Sequence, residues 1–542
     1  MWRISSDKQS LTFGVNSPVR GKVRASRRVG RSRHQPHMKV VLIYAKSQVI
    51  RQKAAEVFAD ESVTKGELAR DEIYPPLGIS ILGAGLEQLG HQVRLLDDSI
   101  EEIETVREAM QWSDLVGISA LTPNARRARE LGKIAREEYS KPVVMGGPHP
   151  TTNPEFFLNA GAADICVQGE GDHTLPEIVE KLHDRASWDT IQGITFLKDG
   201  QQVATPRRAL VKKMDEVPWP AWHLWDIPRF MKLMVNPGVT LITSRGCPYA
   251  CTFCDAEMTP RQYRAMSPEK TVDMMQFILE KYNPPQLVLF DDLFTIQRKR
   301  VIAICQEIIK RDLFFEWVCE SRVDTMDWEM LRWMRKAGCV KIYYGLESGS
   351  PRMLVTMKKG VTPEKVRAGA KLNRELGMYF KFFILYGFPE DTVEDHRLTE
   401  ELIADTRCDA VCCSVLQPIP GTEVFEQLKP YLLKDVAEME FHYWHSTESF
   451  KHPHFTHAEL HAERERLLKS HARATKGIVP KVKRKLERLW AMIRHPELVG
   501  DLIEIRRRKA RHRRRVADSN WGYTLKAERD VIALQVPIVK PD

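Results

Sequence analysis

Residues 239–256 read VTLITSRGCPYACTFCDA, and the interpretation of the whole chain starts from this stretch. Its first residues, Val239–Thr243, form an apolar run that predicts a buried strand. Three cysteines follow with the spacing C-x3-C-x2-C: Cys247, Cys251 and Cys254. Thiolates are the ligands that iron–sulfur clusters require, and three of them leave one iron of a four-iron cluster open for a substrate. Zinc is the main alternative, but it usually takes two separated cysteine pairs or a nearby histidine, and neither lies close by in the sequence.

The composition is that of a soluble globular protein. The chain has 542 residues, which predicts three or four folded units, and its mean hydropathy is −0.36. No run approaches the ~20 apolar residues that a membrane-spanning helix needs, and no apolar signal region follows the basic N-terminus. Ten cysteines in such a chain fit a reducing compartment. We therefore predict a cytoplasmic protein whose clustered cysteines bind metal.

Residues 38–185 alternate between short apolar runs and amphipathic segments. The apolar runs predict five strands: Lys39–Ala45, Gln92–Asp98, Leu115–Ala120, Pro142–Gly147 and Ile165–Glu170. Helical periodicity in Gly78–Gly90 and Asn124–Tyr139 makes this an α/β unit, a Rossmann-like doubly wound parallel sheet. Ligands of such sheets bind beyond the carboxyl ends of the strands. The candidate contacts at those ends are Ser119, Thr122, Gly146, Gly147, His149, Gly169 and Glu170. Tight strand-to-helix turns are the alternative explanation for the glycines.

A second alternating series follows a hairpin and a proline- and tryptophan-rich linker at residues 186–237. Its apolar runs predict six strands: Val239–Thr243, Gln286–Asp292, Phe315–Arg322, Val340–Ser348, Tyr379–Gly387 and Ala410–Pro420. Six βα units in succession predict a partial (β/α)6 TIM-like barrel at residues 238–452, with its chemistry at the carboxyl ends of the strands. Cys412 and Cys413 are adjacent on the last strand, so we expect them to point to opposite faces. Either one is a second functional thiol, or both are inert buried cysteines.

The cysteine loop, with Phe253 before its last cysteine, resembles the signature of the radical SAM enzymes. The resemblance implies a [4Fe–4S] cluster on Cys247, Cys251 and Cys254 whose open iron binds S-adenosylmethionine (SAM). An electron from the cluster would then cleave SAM to methionine and a 5′-deoxyadenosyl radical. The same resemblance makes polar residues at the barrel strand ends candidates for SAM contacts, together with Phe253: Asp291, Arg322, Glu347 and Ser348. Helix caps or salt bridges at the top of the barrel are the alternative roles.

The first unit carries YPPLGI at residues 74–79, GGPHPT at 146–151 and GEGD at 169–172. Ahead of a radical SAM barrel, this pattern is similar to the cobalamin-binding subgroup. That subgroup includes methyltransferases of unactivated carbon or phosphorus, and the oxidative cyclase of bacteriochlorophyll biosynthesis. The D-x-H-x-x-G motif, whose histidine ligates cobalt, is absent from the chain. We interpret His149, in its G-G-P-H context, as a turn residue rather than a cobalt ligand.

Three hypotheses about function follow from these features. The preferred one is a cobalamin-dependent methyltransferase: one SAM yields the radical, and a second donates its methyl group through cobalamin to the substrate, a small molecule or a lipid. The resemblance also implies an electron donor of the flavodoxin or ferredoxin type. The second hypothesis is a radical SAM cyclase or rearrangement enzyme without methyl transfer. The third, a nucleic-acid-binding protein with a structural metal, rests on the basic tail alone.

The positive charge of the chain is concentrated at its periphery. Residues 1–37 hold nine Lys or Arg and one acid, and residues 481–515 hold fourteen against four acids, whereas the whole chain has a net charge of +10. The core is therefore acidic, which argues against a nucleic-acid partner. We predict a disordered segment at 1–37, with Met38 as a possible true start, a basic helical region at 453–515 and a tail at 516–542. The basic helices either pack on the barrel with a solvated face or contact a membrane surface peripherally.

Overall fold

The computed structural model describes residues 37–45, 74–234, 236–255, 260–434, 448–475 and 477–518. The predicted basic segment 1–37 and the predicted tail 516–542 lie outside the described residues, apart from residue 37 and residues 516–518. Within the described ranges, no helix combines the length and the apolar character that crossing a membrane requires.

The first unit is a seven-stranded sheet in the order β2-β1-β3-β4-β5-β6-β7. Its strands are β1 (Lys39–Tyr44), β2 (Gln92–Asp97), β3 (Leu115–Ser119), β4 (Val143–Gly146), β5 (Ile165–Val167), β6 (Ile194–Lys198) and β7 (Gln201–Ala204). The main helices of this unit are α1 (Leu77–Gln88), α2 (Ile103–Trp112), α3 (Ala125–Glu137), α4 (Pro148–Thr152), α5 (Glu155–Leu158) and α6 (Thr174–Lys181). Strands β1 to β5 are parallel, and two hydrophobic clusters cover the two faces of the sheet. The predicted doubly wound sheet is confirmed.

The predicted hairpin forms, but it belongs to this sheet instead of to a separate linker. Strand β6 pairs antiparallel with β5, and β7 pairs antiparallel with β6. Ile194 and Phe196 are buried in the same core as the parallel strands. The sheet therefore extends to residue 204, beyond the predicted boundary at 185, because the apolar face of the hairpin covers the open edge of β5.

The second unit is a six-stranded parallel sheet in the order β15-β14-β13-β12-β11-β8. Its strands are β8 (Val239–Leu241), β11 (Gln286–Leu289), β12 (Glu316–Ser321), β13 (Cys339–Glu347), β14 (Tyr379–Tyr386) and β15 (Ala410–Val415), and a short antiparallel pair, β9 (Ser244–Arg245) and β10 (Arg264–Ala265), follows β8. The first and last strands, β8 and β15, do not pair, so the predicted partial barrel is confirmed. Strand β15 ends well before Pro420, because prolines 418 and 420 cannot donate hydrogen bonds to a neighbouring strand.

Helices surround this barrel and continue beyond it. In chain order they are α7 (Ile227–Leu233), α8 (Pro268–Tyr282), α9 (Arg298–Lys310), α10 (Trp328–Lys336), α11 (Pro351–Thr356), α12 (Pro363–Leu376), α13 (Val393–Thr406), α14 (Glu423–Leu428), α15 (His457–Thr475), α16 (Ile478–Arg494) and α17 (Glu497–Asp518). Several begin with a side-chain cap, such as Ser267, whose hydroxyl accepts a hydrogen bond from the Lys270 amide. The last three helices form the predicted helical C-terminal region.

Candidate active site

The cysteine loop leaves the barrel through a narrow neck made by β9 and β10. Arg245 pairs with Arg264 and Ser244 with Ala265, so the chain enters and leaves the cysteine loop side by side at the top of the barrel. Gly246 opens this loop with a φ of +86°, and a Cβ built on it would lie 2.2 Å from the Gln262 carbonyl oxygen. The contact is too close for any side chain, so glycine is required before the first cysteine.

Hydrogen bonds of its backbone hold the cysteine loop against neighbouring segments of the second unit. The Gly246 amide donates to Asp292 Oδ2 over 2.7 Å, and the Cys247 amide donates to the Pro260 carbonyl over 3.1 Å. On the far side, the Thr252 amide donates to the Met357 carbonyl, and the Thr252 carbonyl accepts from the Val424 amide. The loop is therefore held by the residues that follow β11, by the end of α11 and by the first turn of α14, as a fixed cofactor site requires.

The three cysteines of the loop lie close enough to influence one another electrostatically. Burial raises the pKa of Cys247, and burial with the neighbouring thiols and Asp292 raises the pKa of Cys254 to about 11, although Cys254 keeps contact with solvent. In the described part of the chain, no three Cys, His, Asp or Glu side chains converge on a single metal ion. In a cubane cluster each thiolate binds a different iron, so three cysteines on one loop fit the cluster without such convergence.

Asp291 supports the cysteine loop through the protein itself. Its carboxylate is 1% exposed and accepts three hydrogen bonds of 2.6 Å, from the Thr243 amide, the Thr243 hydroxyl and the Ser244 hydroxyl. Buried Arg300 donates to the carbonyl and the hydroxyl of Thr243 from the other side. The oxygens of Asp291 are thus occupied by the residues between β8 and the loop. Its neighbour Asp292, which was not singled out from the sequence, lies near the thiols of Cys247 and Cys254.

Arg322 combines burial with an unused hydrogen-bond donor. Its Nε and Nη2 donate to the carboxylate of Asp324 at 3.0 and 2.9 Å, and its guanidinium lies 3.8 Å from the ring centre of Tyr249 in the cysteine loop. Its Nη1 is buried and has no hydrogen-bond partner among the described residues. Burying such a donor costs free energy unless a ligand satisfies it. Because Arg322 also interacts with Cys247 and Cys251, this donor fits a carboxylate bound beside the cluster.

Glu347 ends β13 in a left-handed backbone conformation, with a φ of +70°. Its Oε1 accepts a hydrogen bond of 2.9 Å from Lys359 Nζ, and that ammonium lies 5.7 Å from the ring centre of Phe253. A Cβ on Gly345 would lie 2.5 Å from Glu347 Oε1 and 2.9 Å from Lys359 Nζ, so a side chain at residue 345 would displace the ends of this pair. A strained residue at a strand end, paired with a buried lysine, is typical of a ligand site. Ser348 is turned inward, where its hydroxyl accepts from the Ser350 amide.

Gln417 is a site candidate that sequence reasoning missed. It lies two residues beyond β15, on the same edge of the barrel as Arg322 and Glu347. Both polar atoms of its side-chain amide are buried and have no hydrogen-bond partner among the described residues. An amide in this state can both donate to and accept from a bound polar ligand. The only sequence signal was its position at a strand end before Pro418.

The first sheet brings its predicted residues to one edge. Gly146 and Ser119 end β4 and β3 side by side, and Gly169 follows β5. At Gly169, whose φ is +81°, an added Cβ would meet no atom of the described residues within 4 Å, so the space beside its Cα is open there. Such an open backbone edge fits a large flat ligand, as cobalamin is.

The turn after β4 is tightly built. A Cβ on Gly147, whose φ is +102°, would lie 2.8 Å from the Ala120 carbonyl. The His149 ring is buried against Phe156 and Phe157, and its Nδ1 lies 3.3 Å from the Thr122 hydroxyl. These contacts place His149 and Thr122 in the packing of the turn, which agrees with the interpretation of His149 as a turn residue.

A network of four charged residues joins the two units at this edge, and sequence reasoning missed three of them. Arg264 Nη1 donates to both oxygens of Glu170 at 2.8 and 3.0 Å. Arg245 donates to both oxygens of Asp172 at 2.9 Å and lies 3.3 Å from Glu170. All four side chains are at most 17% exposed. Glu170, predicted as a cobalamin contact, therefore connects the ligand edge of the first sheet to the neck of the cysteine loop.

The adjacent cysteines of β15 point to opposite faces, as predicted. Cys413 is buried in the hydrophobic core, and burial raises the pKa of its thiol. Cys412 is half-buried on the other face, beside Phe383 in the neighbouring strand. On that face Lys381 lies 4.7 Å from the ring centre of Phe383 and 5.3 Å from that of Tyr343.

Comparison with known proteins finds two families on the chain. Residues 68–179 match the B12 binding domain, and residues 241–403 match the radical SAM superfamily. An uncharacterized methyltransferase from Pyrococcus horikoshii is 31% identical over 359 residues, which cover 65% of this chain and 78% of that protein. The anaerobic magnesium-protoporphyrin IX monomethyl ester cyclase of Rubrivivax gelatinosus is 28% identical over 369 residues, or 66% of each protein.

The fold has counterparts among solved structures. The radical S-adenosylmethionine methyltransferase TsrM from Kitasatospora setae, solved with cobalamin and a [4Fe-4S] cluster bound, superposes with a TM-score of 0.58. The two chains are 18% identical, and the match covers 72% of this chain and 75% of the other. The shared arrangement is a B12-binding sheet followed by a partial radical SAM barrel.

Proposed function

Because the chain belongs to the family of radical SAM enzymes with an N-terminal B12-binding domain, we propose that it is a cobalamin-dependent methyltransferase. Its acceptor would be an unactivated carbon of a small molecule or a lipid. The methyltransferase from Pyrococcus horikoshii, of which the chain covers 78%, supports this assignment. That the family consists of enzymes argues against the hypothesis of a nucleic-acid-binding protein with a structural metal.

One observation carries the proposal: the ligand edges of both sheets are joined by buried ion pairs. The loop that contains Glu170 and Asp172 follows β5, and Arg245 and Arg264 form the neck of the cysteine loop. A methyl transfer between two cofactors needs both of them, and the substrate, within a few ångströms. A rigid link between the two edges is what such a reaction requires of the protein.

Each part of the site has a proposed task. Cys247, Cys251 and Cys254 would hold a [4Fe–4S] cluster, and the open backbone around Gly146 and Gly169 would receive cobalamin. When bound, the cluster supplies the electron that cleaves SAM, and cobalamin supplies a cobalt centre that carries a methyl group.

The remaining residues would position SAM. The free donor of Arg322 would pair with the SAM carboxylate, and the Glu347–Lys359 pair would orient its amino or ribose groups. Phe253, 6.0 Å from the ring centre of Phe388, would shield the reaction from water. Asp291 and Ser348, whose side chains are engaged within the protein, would act as supports.

The second candidate is an oxidative cyclase or rearrangement enzyme without methyl transfer. The observation in its favour is the similarity to the cyclase of Rubrivivax gelatinosus, which the chain matches over 66% of its length. Both candidates use the same cluster residues and the same electron donor, which we propose to be a flavodoxin or a ferredoxin. The described cysteines form no disulfide bond with one another, which is compatible with the cytoplasmic location proposed for the enzyme.

Anaerobic turnover with methyl-labelled SAM distinguishes the two candidates. The protein loaded with cluster and cobalamin is incubated with a reductant and with either lipid or water-soluble extract. A methyltransferase yields S-adenosylhomocysteine and 5′-deoxyadenosine in comparable amounts, and the label enters the acceptor. Formation of 5′-deoxyadenosine alone, with an unlabelled product, would establish the cyclase class.

The variant Cys247→Ser tests the cluster assignment, and Cys408→Ser is its matched control. Cys408 is fully buried on the barrel far along the chain from the loop, whereas Cys247 belongs to the proposed cluster. Only the Cys247 variant should lose SAM cleavage and bound iron. Equal iron content in both variants would refute the cluster assignment.

A further inference from the structure

Helix α16 packs on the protein through its charged face and turns its apolar face outward. Its buried side is held by ion pairs: Arg484 with Asp409, Glu487 with Arg374 and Arg407, and Arg494 with Glu375. Arg488 also donates to the Gly377 carbonyl over 3.1 Å. The sequence left two possibilities open, a helix packed on the barrel with a solvated face and a peripheral contact with a membrane surface. The helix packs on the second unit, and the face that it leaves exposed is the apolar one.

The outward side of α16 is a continuous apolar stripe. Four of its side chains are more than half exposed: Leu486 (52%), Leu489 (54%), Trp490 (62%) and Ile493 (60%). At 100° per residue these positions, with Val482, fall within a narrow sector opposite Ala491, which is buried. Exposing such a stripe to water is unfavourable, so an apolar partner is expected to cover it.

The same surface continues onto α17 and becomes basic. Val499 and Ile503 are 46% and 44% exposed on its outward side, and exposed arginines follow on that side: Arg506, Arg507, Arg513 and Arg514. Its opposite side faces the protein, where Asp501 pairs with Arg332 and Arg508 donates to the Lys336 carbonyl. We call these outward sides of α16 and α17 the C-terminal face.

Lysines border the apolar stripe on both flanks. Lys483 and Lys485 are exposed and stand at the two margins of the sector that contains Leu486 and Trp490. Long lysine side chains in this position can lie along an apolar surface while their charges reach anionic headgroups. Tryptophan is the residue that prefers the boundary between lipid and water.

We propose that the C-terminal face binds an anionic lipid bilayer, with the stripe of α16 inserted between the headgroups. A second copy of the chain fits this surface less well. In a two-fold dimer the two stripes would face each other, and the bordering lysines and arginines of both copies would repel one another. An anionic bilayer offers both an apolar interior and complementary charge. The proposal does not depend on the reaction that the enzyme catalyses.

Flotation of the full chain with lipid vesicles tests this proposal. Vesicles of phosphatidylcholine alone are compared with vesicles that also contain phosphatidylglycerol, and light scattering gives the mass of the protein in solution. We expect the protein to float with the anionic vesicles and to be released by high salt.

Two variants separate the apolar and the electrostatic contributions. The triple variant Leu489→Ser, Trp490→Ser, Ile493→Ser should lower the partition coefficient at least about tenfold, since three exposed apolar side chains no longer insert. The double variant Lys483→Gln, Lys485→Gln should lower it about 25-fold, at roughly fivefold for each charge lost near an anionic surface.

The matched control removes exposed apolar side chains elsewhere. Val355, 78% exposed on α11, and Val393, 56% exposed at the start of α13, are both changed to serine. This variant should float like the unaltered protein. Unchanged thermal unfolding and unchanged cluster absorbance show that each variant is folded.

Four outcomes would overturn the proposal. The protein could fail to float with anionic vesicles, or float equally well with neutral ones. It could float with anionic vesicles but do so unchanged in the serine triple variant. Finally, it could form a dimer in solution that the triple variant dissociates, which would make a second copy the occupant of the C-terminal face.

Discussion

Breaking the ion pair between Glu170 and Arg264 tests whether this contact stabilises the protein and holds the ligand edges of the two sheets together. Arg264 is 7% exposed at its side chain and donates to both Glu170 oxygens and to the Val211 carbonyl. The change Arg264→Met removes all of these hydrogen bonds. The Glu170 carboxylate, which has little contact with solvent, then loses one of its two arginine partners. The change Glu170→Gln keeps an acceptor for the Val211 amide but removes the charge that faces two arginines.

The size of the effect follows from burial. Removing one partner of a buried ion pair typically costs about 3–5 kcal/mol, much of it the penalty of a buried charge left alone. Glu170 keeps Arg245 at 3.3 Å and is 17% exposed, so the lower end applies. We therefore expect Arg264→Met to lower the free energy of unfolding by about 3 kcal/mol. Glu170→Gln should lower it by less, about 2 kcal/mol, because the amide oxygen still accepts the hydrogen bond from the Val211 amide. The double variant should lose less than the sum, by about 1–2 kcal/mol, because the two residues are in contact.

Urea unfolding of the two single variants and the double variant measures this coupling. The matched control is Glu216→Gln, which breaks the exposed ion pair with Lys213 and should leave stability indistinguishable from that of the unaltered protein. If the loss of unfolding free energy in the double variant equals the sum of the two single losses within about 0.5 kcal/mol, the two residues do not stabilise the protein through their mutual contact.

The same variants test the functional part of the argument. Glu170 lies outside the cysteine loop, so Glu170→Gln should retain iron and cleave SAM at a nearly unchanged rate. Methyl transfer should fall about a hundredfold if the edges of the two sheets move apart by ~1 Å. An unchanged ratio of methyl transfer to SAM cleavage would refute the idea that this network sets the distance between the two cofactors.

Three further predictions concern single residues. Gly246→Ala should abolish iron binding without changing the circular dichroism, because the new Cβ would lie 2.2 Å from the Gln262 carbonyl; normal iron content would contradict this. Arg322→Gln should raise the KM for SAM about 10- to 100-fold with iron unchanged, as expected for a lost charge-assisted hydrogen bond, and an unaltered KM would exclude the contact. Burial raises the pKa of Asp97 from 3.8 to about 6, so the folded state holds this proton more tightly and its stability falls as the pH rises from about 4 to 6. Asp97→Asn should therefore raise the unfolding free energy at pH 7 by on the order of 1–3 kcal/mol, with a smaller gain at pH 4, measured by urea unfolding at both pH values.

The strands and the cysteine loop could be predicted from sequence because their signals are local. Each strand of the barrel is a short apolar run, and the cysteine spacing lies within eight residues. The ends of the strands were less certain: the predicted run to Glu170 stops at Val167 in β5. Strand pairing, which defines those ends, depends on the neighbouring strand and not on the run itself.

The roles of the charged residues could not be predicted, because their partners are distant in the chain. Arg264 is 94 residues from Glu170, and the Asp291 carboxylate meets Thr243 across 48 residues. A glycine-rich context made Glu170 look like a ligand contact, whereas its oxygens meet arginines of the other unit. Similarly, the period of α16 revealed two faces but not which of them the protein covers.

Residues at the top of the barrel fall into two groups: those that we expect to contact a ligand, and those that hold other residues in place. Buried polar atoms without a partner and strained backbone mark the first group. Asp291 and Ser348 have their hydrogen bonds within the protein, so a ligand would gain little from them. Arg322 and Gln417 bury polar atoms without partners among the described residues, and Glu347 holds a left-handed backbone. A buried polar atom without a protein partner costs free energy that a polar ligand can offset, and strained backbone is typical of functional sites. We therefore expect Arg322, Glu347 and Gln417 to contact SAM or substrate directly, although only the first two were singled out by their motifs.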